Sequence, residues 1–425
     1  MMQKFRGSVL KRKLYILRYY LSIFFFTLRK EGVKAAIKKS LDKLFPSRKL
    51  KKISDHEPFV KSDYLPIVKE GLSKDLDFIV IITDTMIDQC LTYRINQKIF
   101  FLESLGYSTI KLSSSQVGKI LSFARLAKKV IIYRTALSSD IIKSMQDEQV
   151  KLYFEFDDLV VGKDMLFYSG IKASLSEKQV INIEKESSEL EETALLCDEL
   201  IVSTDRLRKV YSENSTQLNN KKIHTINNFL VNEEFKSPVT KSYDFAFTTP
   251  SLSISNELEM VKDFLGAIDE ELALSGGRKK VLVIGNEKAY SVVEKCGFEN
   301  IDLTFIKYLE YGSYLKTLEN VSFVMIPLSD LNFNQSKTAI RAYDALLAGA
   351  VPLVSPVGEY ANFVENEALS KLVINGDDWA LAAKAIVGMR NDYYEVLASA
   401  QTSIKEMYGW GAAKSEYKRF LNEDS

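Results

Sequence analysis

Two groups of charged residues have the types and spacing to do chemistry. In VSFVMIPLSDLNFNQSKTAIRAYDALLAGAVPLVSPVGEY, residues 321–360, an apolar run is followed by Ser336, Lys337, Arg341 and Asp344. The spacing predicts a helix from Lys337 to Ala348 with Ser336 as its N-cap, between strands Val321–Ile326 and Val351–Val354. Lys337 and Arg341 then share a face at i, i+4, beside the free amides of a helix start, which together form a cradle for a diphosphate. Asp344 follows one turn later, where a carboxylate can accept ribose hydroxyls. The Gly358 turn lets backbone approach a ligand with no Cβ in the way. Residues Asn332–Gly358 therefore read as a nucleotide-diphosphate-binding unit, although an ordinary crossover helix with solvated cations has the same composition.

The second group lies upstream. A strand, Lys151–Phe156, ends in Asp157-Asp158, which could orient acceptor hydroxyls, serve as base, or hydrogen-bond turn amides. Arg94 opens a helix after the first strand and is expected to face a cleft, meeting phosphate or an anionic acceptor; pairing with a neighbouring acid is the alternative. Gly285 ends a strand at Val283-Ile284, and Lys307–Tyr311 precedes a further helix. With only two histidines, His56 and His224, a multi-histidine metal centre is excluded, and Cys90, Cys197 and Cys296 form no CxxC pair. The chemistry must rest on carboxylates, Lys, Arg and backbone amides, with no metal site.

The elements that must position these residues alternate. Phe78–Ile82, Thr109–Leu112, Val130–Tyr133, Lys151–Phe156 and Leu200–Ser203 read as buried strands separated by helices, among them Arg94–Leu105, Ser174–Leu196 and one capped by Thr204. A polar, irregular stretch from about Ser212 to Tyr243 marks a boundary near Pro238. Alternation then resumes with Phe245–Thr248, Val281–Ile284, Leu303–Ile306, Val321–Ile326 and Val351–Val354, and a helical tail runs over Met407–Leu421. This predicts an α/β chain of two doubly wound, Rossmann-like domains facing across a cleft. The divisions are 1–52, 53–240, 241–406 and a crossing-back helix at 407–425.

The run Ser336-Lys337…Asp344-Ala345-Leu346…Gly349-Ala350-Val351-Pro352-Leu353-Val354…Gly358 resembles the C-terminal domain of GT-B glycosyltransferases of the family 4 type, in its bacterial surface-polysaccharide subgroup. Thr92–Gln97 with Leu105-Gly106, and Glu155-Phe156-Asp157-Asp158, resemble that family's N-terminal domain. The resemblance assigns Lys337 and Arg341 to the diphosphate, Asp344 to the ribose and Gly285 to the turn near the nucleotide. Ser336 stands where the family has a first Glu, and no histidine matches its catalytic one. The resemblance implies a hexosyltransferase, retaining and metal-independent, that uses a UDP- or GDP-linked sugar as donor substrate and no separate cofactor.

Charge adds a location. Residues 1–52 hold 16 basic against 2 acidic residues, and the remainder 41 against 54, within a net charge of +1. The apolar, Arg18-interrupted run Leu14–Leu28 is too short to span a bilayer. With the basic amphipathic stretch behind it, it reads as an in-plane anchor on an anionic leaflet, not as a nucleic-acid-binding arm. The expected protein is cytoplasmic and peripheral on the inner membrane face, and it transfers a sugar to a glycan or lipid-linked acceptor. The rival expectations are a sugar-nucleotide epimerase or hydrolase, and a degenerate, non-catalytic partner in a polysaccharide assembly complex.

Overall fold

The computed structural model of the protein describes residues 78–237, 241–249, 255–375, 378–388 and 393–422. The basic segment 1–52, His56 and the expected boundary at Pro238 lie outside the described residues. Short apolar runs rich in β-branched and aromatic residues form two sheets in which every pairing is parallel. The first holds β1 (Phe78–Ile82), β2 (Ser108–Leu112), β3 (Lys129–Tyr133), β4 (Lys151–Phe156), β5 (Glu199–Val202) and β6 (Ile223–Thr225), in the order β2-β1-β3-β4-β5-β6. The second holds β7 (Tyr243–Thr249), β8 (Lys279–Gly285), β9 (Ile301–Lys307), β10 (Val321–Ile326) and β11 (Val351–Val354), in the order β11-β10-β7-β8-β9.

Helices connect the strands. In the first domain they are α1 (Gln97–Ser104), α2 (Val117–Ala124), α3 (Ser139–Gln146), α4 (Lys163–Tyr168), α5 (Glu177–Leu196) and α6 (Asp205–Asn214). Then come α7 (Ser255–Ser275), α8 (Glu287–Glu294), α9 (Tyr311–Leu318), the short α10 (Asn332–Gln335), α11 (Ile340–Leu347), α12 (Trp379–Gly388), α13 (Tyr393–Tyr408) and α14 (Trp410–Asn422). Because helices cover both faces, the central strands are apolar on both sides rather than alternating. Val80, Ile82 and Ile132 pack into one core of the first sheet, while Ile79, Ile81 and Ile131 pack into the other. α14 returns to that second core: Tyr417 stacks on Phe101 at 5.6 Å and Phe420 meets Tyr153 edge-on at 5.2 Å.

Three local departures from the sequence reading matter for the site. The chain between β1 and α1 forms a π-helix over Leu91–Asn96, and this wider turn buries three consecutive residues, Tyr93, Arg94 and Ile95. The helix expected from Lys337 begins instead at Ile340, with Ala339 as N-cap; residues 336–339 form a turn after α10. Its first free amide, Ala339 N–H, donates at 2.7 Å to the carboxylate of Glu359, twenty residues downstream, so the cap is tertiary. β6, a three-residue edge strand, sits inside the stretch that reads as a polar linker.

Candidate functional site

In doubly wound sheets ligands bind beyond the strand C-termini, where the strand order reverses. Here the reversals fall between β1 and β3 in the first sheet and between β7 and β10 in the second. A cleft of about 230 Å³ opens at these points. Thr248 and Thr249 at the end of β7 and Pro327 and Leu328 after β10 form its second-domain wall, with Lys337 and Arg341. The first domain contributes Gln89, Cys90, Tyr93, Asp157 and Asp158. A recess of about 70 Å³ continues from it past Thr248, Thr249 and Arg341 to Gly285, Tyr308 and Tyr314.

The basic wall is built by a turn, not by a helix face. Gly358, at φ +66°, packs directly on this turn: a Cβ there would come within 2.7 Å of Asn334 O and 2.8 Å of Lys337 O. What Gly358 admits is therefore the backbone of residues 334–337. Glu359 N–H donates to Lys337 O at 3.0 Å and fixes the same turn. The Lys337 ammonium lies 4.8 Å from the Phe333 ring. Burial, reinforced by the Arg341 charge, pulls it down to about 8 against the attraction of Asp158 and Glu257. Arg341 donates to Thr248 O at 3.3 Å. Ser336, expected as the cap, is buried; its carbonyl accepts a 3.4 Å bond from Thr204 Oγ1, and its hydroxyl points to Asn332 O.

The acidic wall comes from β4. Asp157 accepts from Tyr133 Oη at 2.9 Å and from Arg134 at 3.2 Å; Asp158 accepts from Arg134 at 3.1 Å. Burial and the neighbouring Asp157 charge raise the Asp158 carboxyl against Arg134 and Lys337. Arg134 reaches both acids from a left-handed backbone, φ +40°, at the end of β3. A strained non-glycine residue beside a cleft is a frequent mark of function.

Arg94 and Asp344 do not line the cleft, contrary to the expectation. Arg94 is buried and pairs with Glu155 at 2.6 Å; it also donates to Ile226 O at 2.7 Å and Asn228 Oδ1 at 3.0 Å. Lys98 pairs with the second oxygen of Glu155. Arg94 thus stands behind the wall and positions Asn228, which does line it and donates to Thr338 at 3.1 Å. The π-turn that buries Arg94 has no signature in an i, i+4 reading. Asp344 is fully buried and accepts from Tyr93 Oη (2.6 Å), Tyr311 Oη (2.5 Å) and Gln89 Nε2 (3.2 Å). Burial lifts its carboxyl to about 6 despite these three donors. Since Gln89 and Tyr93 belong to the first domain and Tyr311 to the second, Asp344 ties the two together. Further ties are Phe333 N–H to Ser169 O at 3.0 Å and Asn332 Nδ2 to Tyr168 O at 2.9 Å.

The sequence reading also missed Glu257 and Arg134. Glu257, in the first turn of α7, lines the cleft, yet in sequence it is one acid in an ordinary acidic helix start. Among the described residues no group of three or more His, Cys, Asp or Glu side chains is placed to hold a metal ion, and no helix is long and apolar enough to cross a membrane.

No protein-family model matches the chain, and no curated protein matches its sequence. Solved structures do match its shape. It is similar to an alpha-glucosyltransferase in complex with UDP-glucose and DNA containing an abasic site (TM-score 0.52, 10% identity, covering 81% of this chain and 99% of that one). It is similar to Anabaena Alr3699/HepE in complex with UDP-glucose (TM-score 0.52, 11% identity, 81% and 99%). A glycosyltransferase from Rickettsia africae ESF-5 gives a TM-score of 0.52 at 10% identity, covering 82% and 98%. The fold is GT-B. At such identities the likeness concerns the fold alone. In this GT-B chain a basic wall and an acidic wall face each other across the switch points of both sheets.

Proposed function

We propose that this chain is a glycosyltransferase that moves a sugar from a nucleotide-diphosphate sugar to a hydroxyl-bearing acceptor. The observation that carries the reading is the pairing of Lys337 and Arg341 on one wall with Asp157 and Asp158 on the other, in a cleft at the strand C-termini of two doubly wound sheets. The structural neighbours that bind UDP-glucose support the choice of donor class. Lys337 and Arg341 receive the diphosphate and balance the charge that grows on it as the sugar departs. The recess beyond Arg341, between Gly285 and Tyr308, takes the base. Asp158 and Asp157, held by Arg134, orient the acceptor hydroxyl, with Asp158 placed to accept its proton.

A retaining, metal-independent transfer in bacterial surface-polysaccharide synthesis, with a glycan or lipid-linked acceptor at the inner membrane face, agrees with the polybasic, apolar segment 1–52 and with the two cations at the cradle. Asp344, given to the ribose by the family resemblance, is instead a joint between the domains in this proposal.

A thermal-shift panel of UDP, GDP and their sugars tests it. Ligand at a hundredfold its Kd should add about 2.7 kcal/mol of stability. Lys337→Ala should abolish that shift without lowering the ligand-free melting temperature. Silence from every nucleotide diphosphate would sink the reading, and binding without turnover would favour a non-catalytic assembly partner.

A further inference from the structure

Glu257 is a buried carboxylate in the cleft that the diphosphate does not need. It sits in the first turn of α7, 5% exposed. One of its oxygens, Oε1, accepts from Ser329 Oγ at 2.8 Å, from Ser329 N–H at 3.3 Å and from Asn334 Nδ2 at 2.9 Å. Asn334 is locked in turn, donating to Ser329 O at 2.9 Å. The other oxygen, Oε2, accepts no hydrogen bond among the described residues, and no cation there lies within ion-pair distance of the group. An immobilised carboxylate with an open oxygen and no counter-charge has acceptor capacity left for a ligand's donors.

Three neutral donors hold one oxygen, and Glu257 lines the cleft with the other left over. The charge of Glu257 is felt at Lys337, which places it next to the phosphate cradle but with the wrong sign for phosphate. A carboxylate in that position accepts hydrogen bonds from hydroxyls, and the part of a nucleotide-diphosphate sugar that carries hydroxyls beyond the phosphates is the sugar. Asp158, half-buried, lines the same space from the first domain.

We infer that Glu257, which lines the cleft with one oxygen open, reads hydroxyls of the donor sugar, and that Glu257 and Asp158 together select an uncharged hexosyl group over a sugar bearing a carboxylate. Ser329 and Asn334 are positioning residues for this carboxylate. The inference rests on the donor-site reading above and adds the class of sugar to it.

Calorimetric titration of the full chain with UDP, UDP-glucose and UDP-glucuronate, and with GDP and GDP-mannose, tests the idea. In the wild type, UDP-glucuronate should bind at least tenfold more weakly than UDP-glucose. Glu257→Gln should leave the Kd for the bare diphosphate within about threefold, weaken the uncharged sugar nucleotide about tenfold, and narrow the gap to the uronosyl donor. Ser329→Ala keeps the charge but loosens it and should move the same ratio about threefold, which guards against a fold defect in the first variant. Equal Kd ratios of sugar nucleotide to diphosphate in wild type and both variants would overturn the role of Glu257 and leave the donor site standing. Failure of every diphosphate to bind the wild type would overturn both.

Discussion

Two buried carboxylates lie close to the cleft and are treated in opposite ways. Glu155, under the first sheet, is paired with two cations, Arg94 and Lys98, all from one domain. Asp344 meets only neutral donors, two tyrosines and a glutamine, and these come from both domains. The lysines repeat the contrast. Lys98 is bound to Glu155, whereas Lys337 has no carboxylate within ion-pair distance among the described residues. Both are pulled down to about 8, chiefly by burial, but only Lys337 lines the cleft. Ion pairing inside one domain makes a fixed support; burial without a counter-charge leaves groups that respond to pH or to a ligand.

Breaking the fixed support should have the largest effect. Glu155→Gln leaves two buried cations facing each other and is expected to cost about 3–5 kcal/mol, read as a lowered denaturation midpoint. An unchanged midpoint would mean that the triad is not the support described.

Asp344 should show itself through pH. Its carboxyl, raised from 3.8 to about 6, holds its proton more tightly in the folded than in the unfolded chain. The folded state therefore gains stability from this group as pH falls from about 6 to about 4, and loses it as pH rises over the same window, by roughly 3 kcal/mol in full. Glu359, raised by burial to about 7, adds a trend of the same sign, so the measurement is the difference between wild type and Asp344→Asn across pH 4–7. Parallel curves for the two proteins would show that Asp344 is not the titrating joint.

Lys337 should show itself through the ligand. Since its ammonium sits near 8, diphosphate affinity is expected to fall about tenfold as pH rises from 7 to 9.5, and binding near pH 8 should take up a proton from buffer. Lys337→Arg should flatten that profile. A pH-independent Kd in the wild type would contradict the assignment.

Gly358→Ala probes the turn beneath Lys337. The added Cβ meets two backbone oxygens at a positive φ, for a cost of about 1–3 kcal/mol and a weaker diphosphate site. Tyr93→Phe, which removes one of three donors to Asp344, is the mildest change, about 1 kcal/mol, with the Asp344 carboxyl moving further up.

The strands were legible because each buried parallel strand is a run of apolar residues, and such runs survive any packing: ten of the eleven described strands match runs such as FIVII and VSFVMI. β6 was not, because three residues at a sheet edge carry no pattern. Asp157 and Asp158 were legible as acids that end a strand, the edge where such sheets bind. Lys337 and Arg341 both line the cleft, although no single helix carries them as the i, i+4 spacing predicts. Arg94 and Asp344 misled, because a charged residue on an expected helix looks the same whether it points to a cleft or into a core.

The sequence by itself determined the parallel two-sheet architecture and the paired charges at a strand end, because these follow from local hydrophobic runs and their spacing. Only the tertiary structure decided which charges meet solvent and which meet each other. A π-turn buried Arg94 against Glu155, a distant Glu359 set the start of α11, and tyrosines from two domains closed over Asp344. These outcomes depend on partners 20 to 251 residues away in the chain, and local periodicity carries no information at that range.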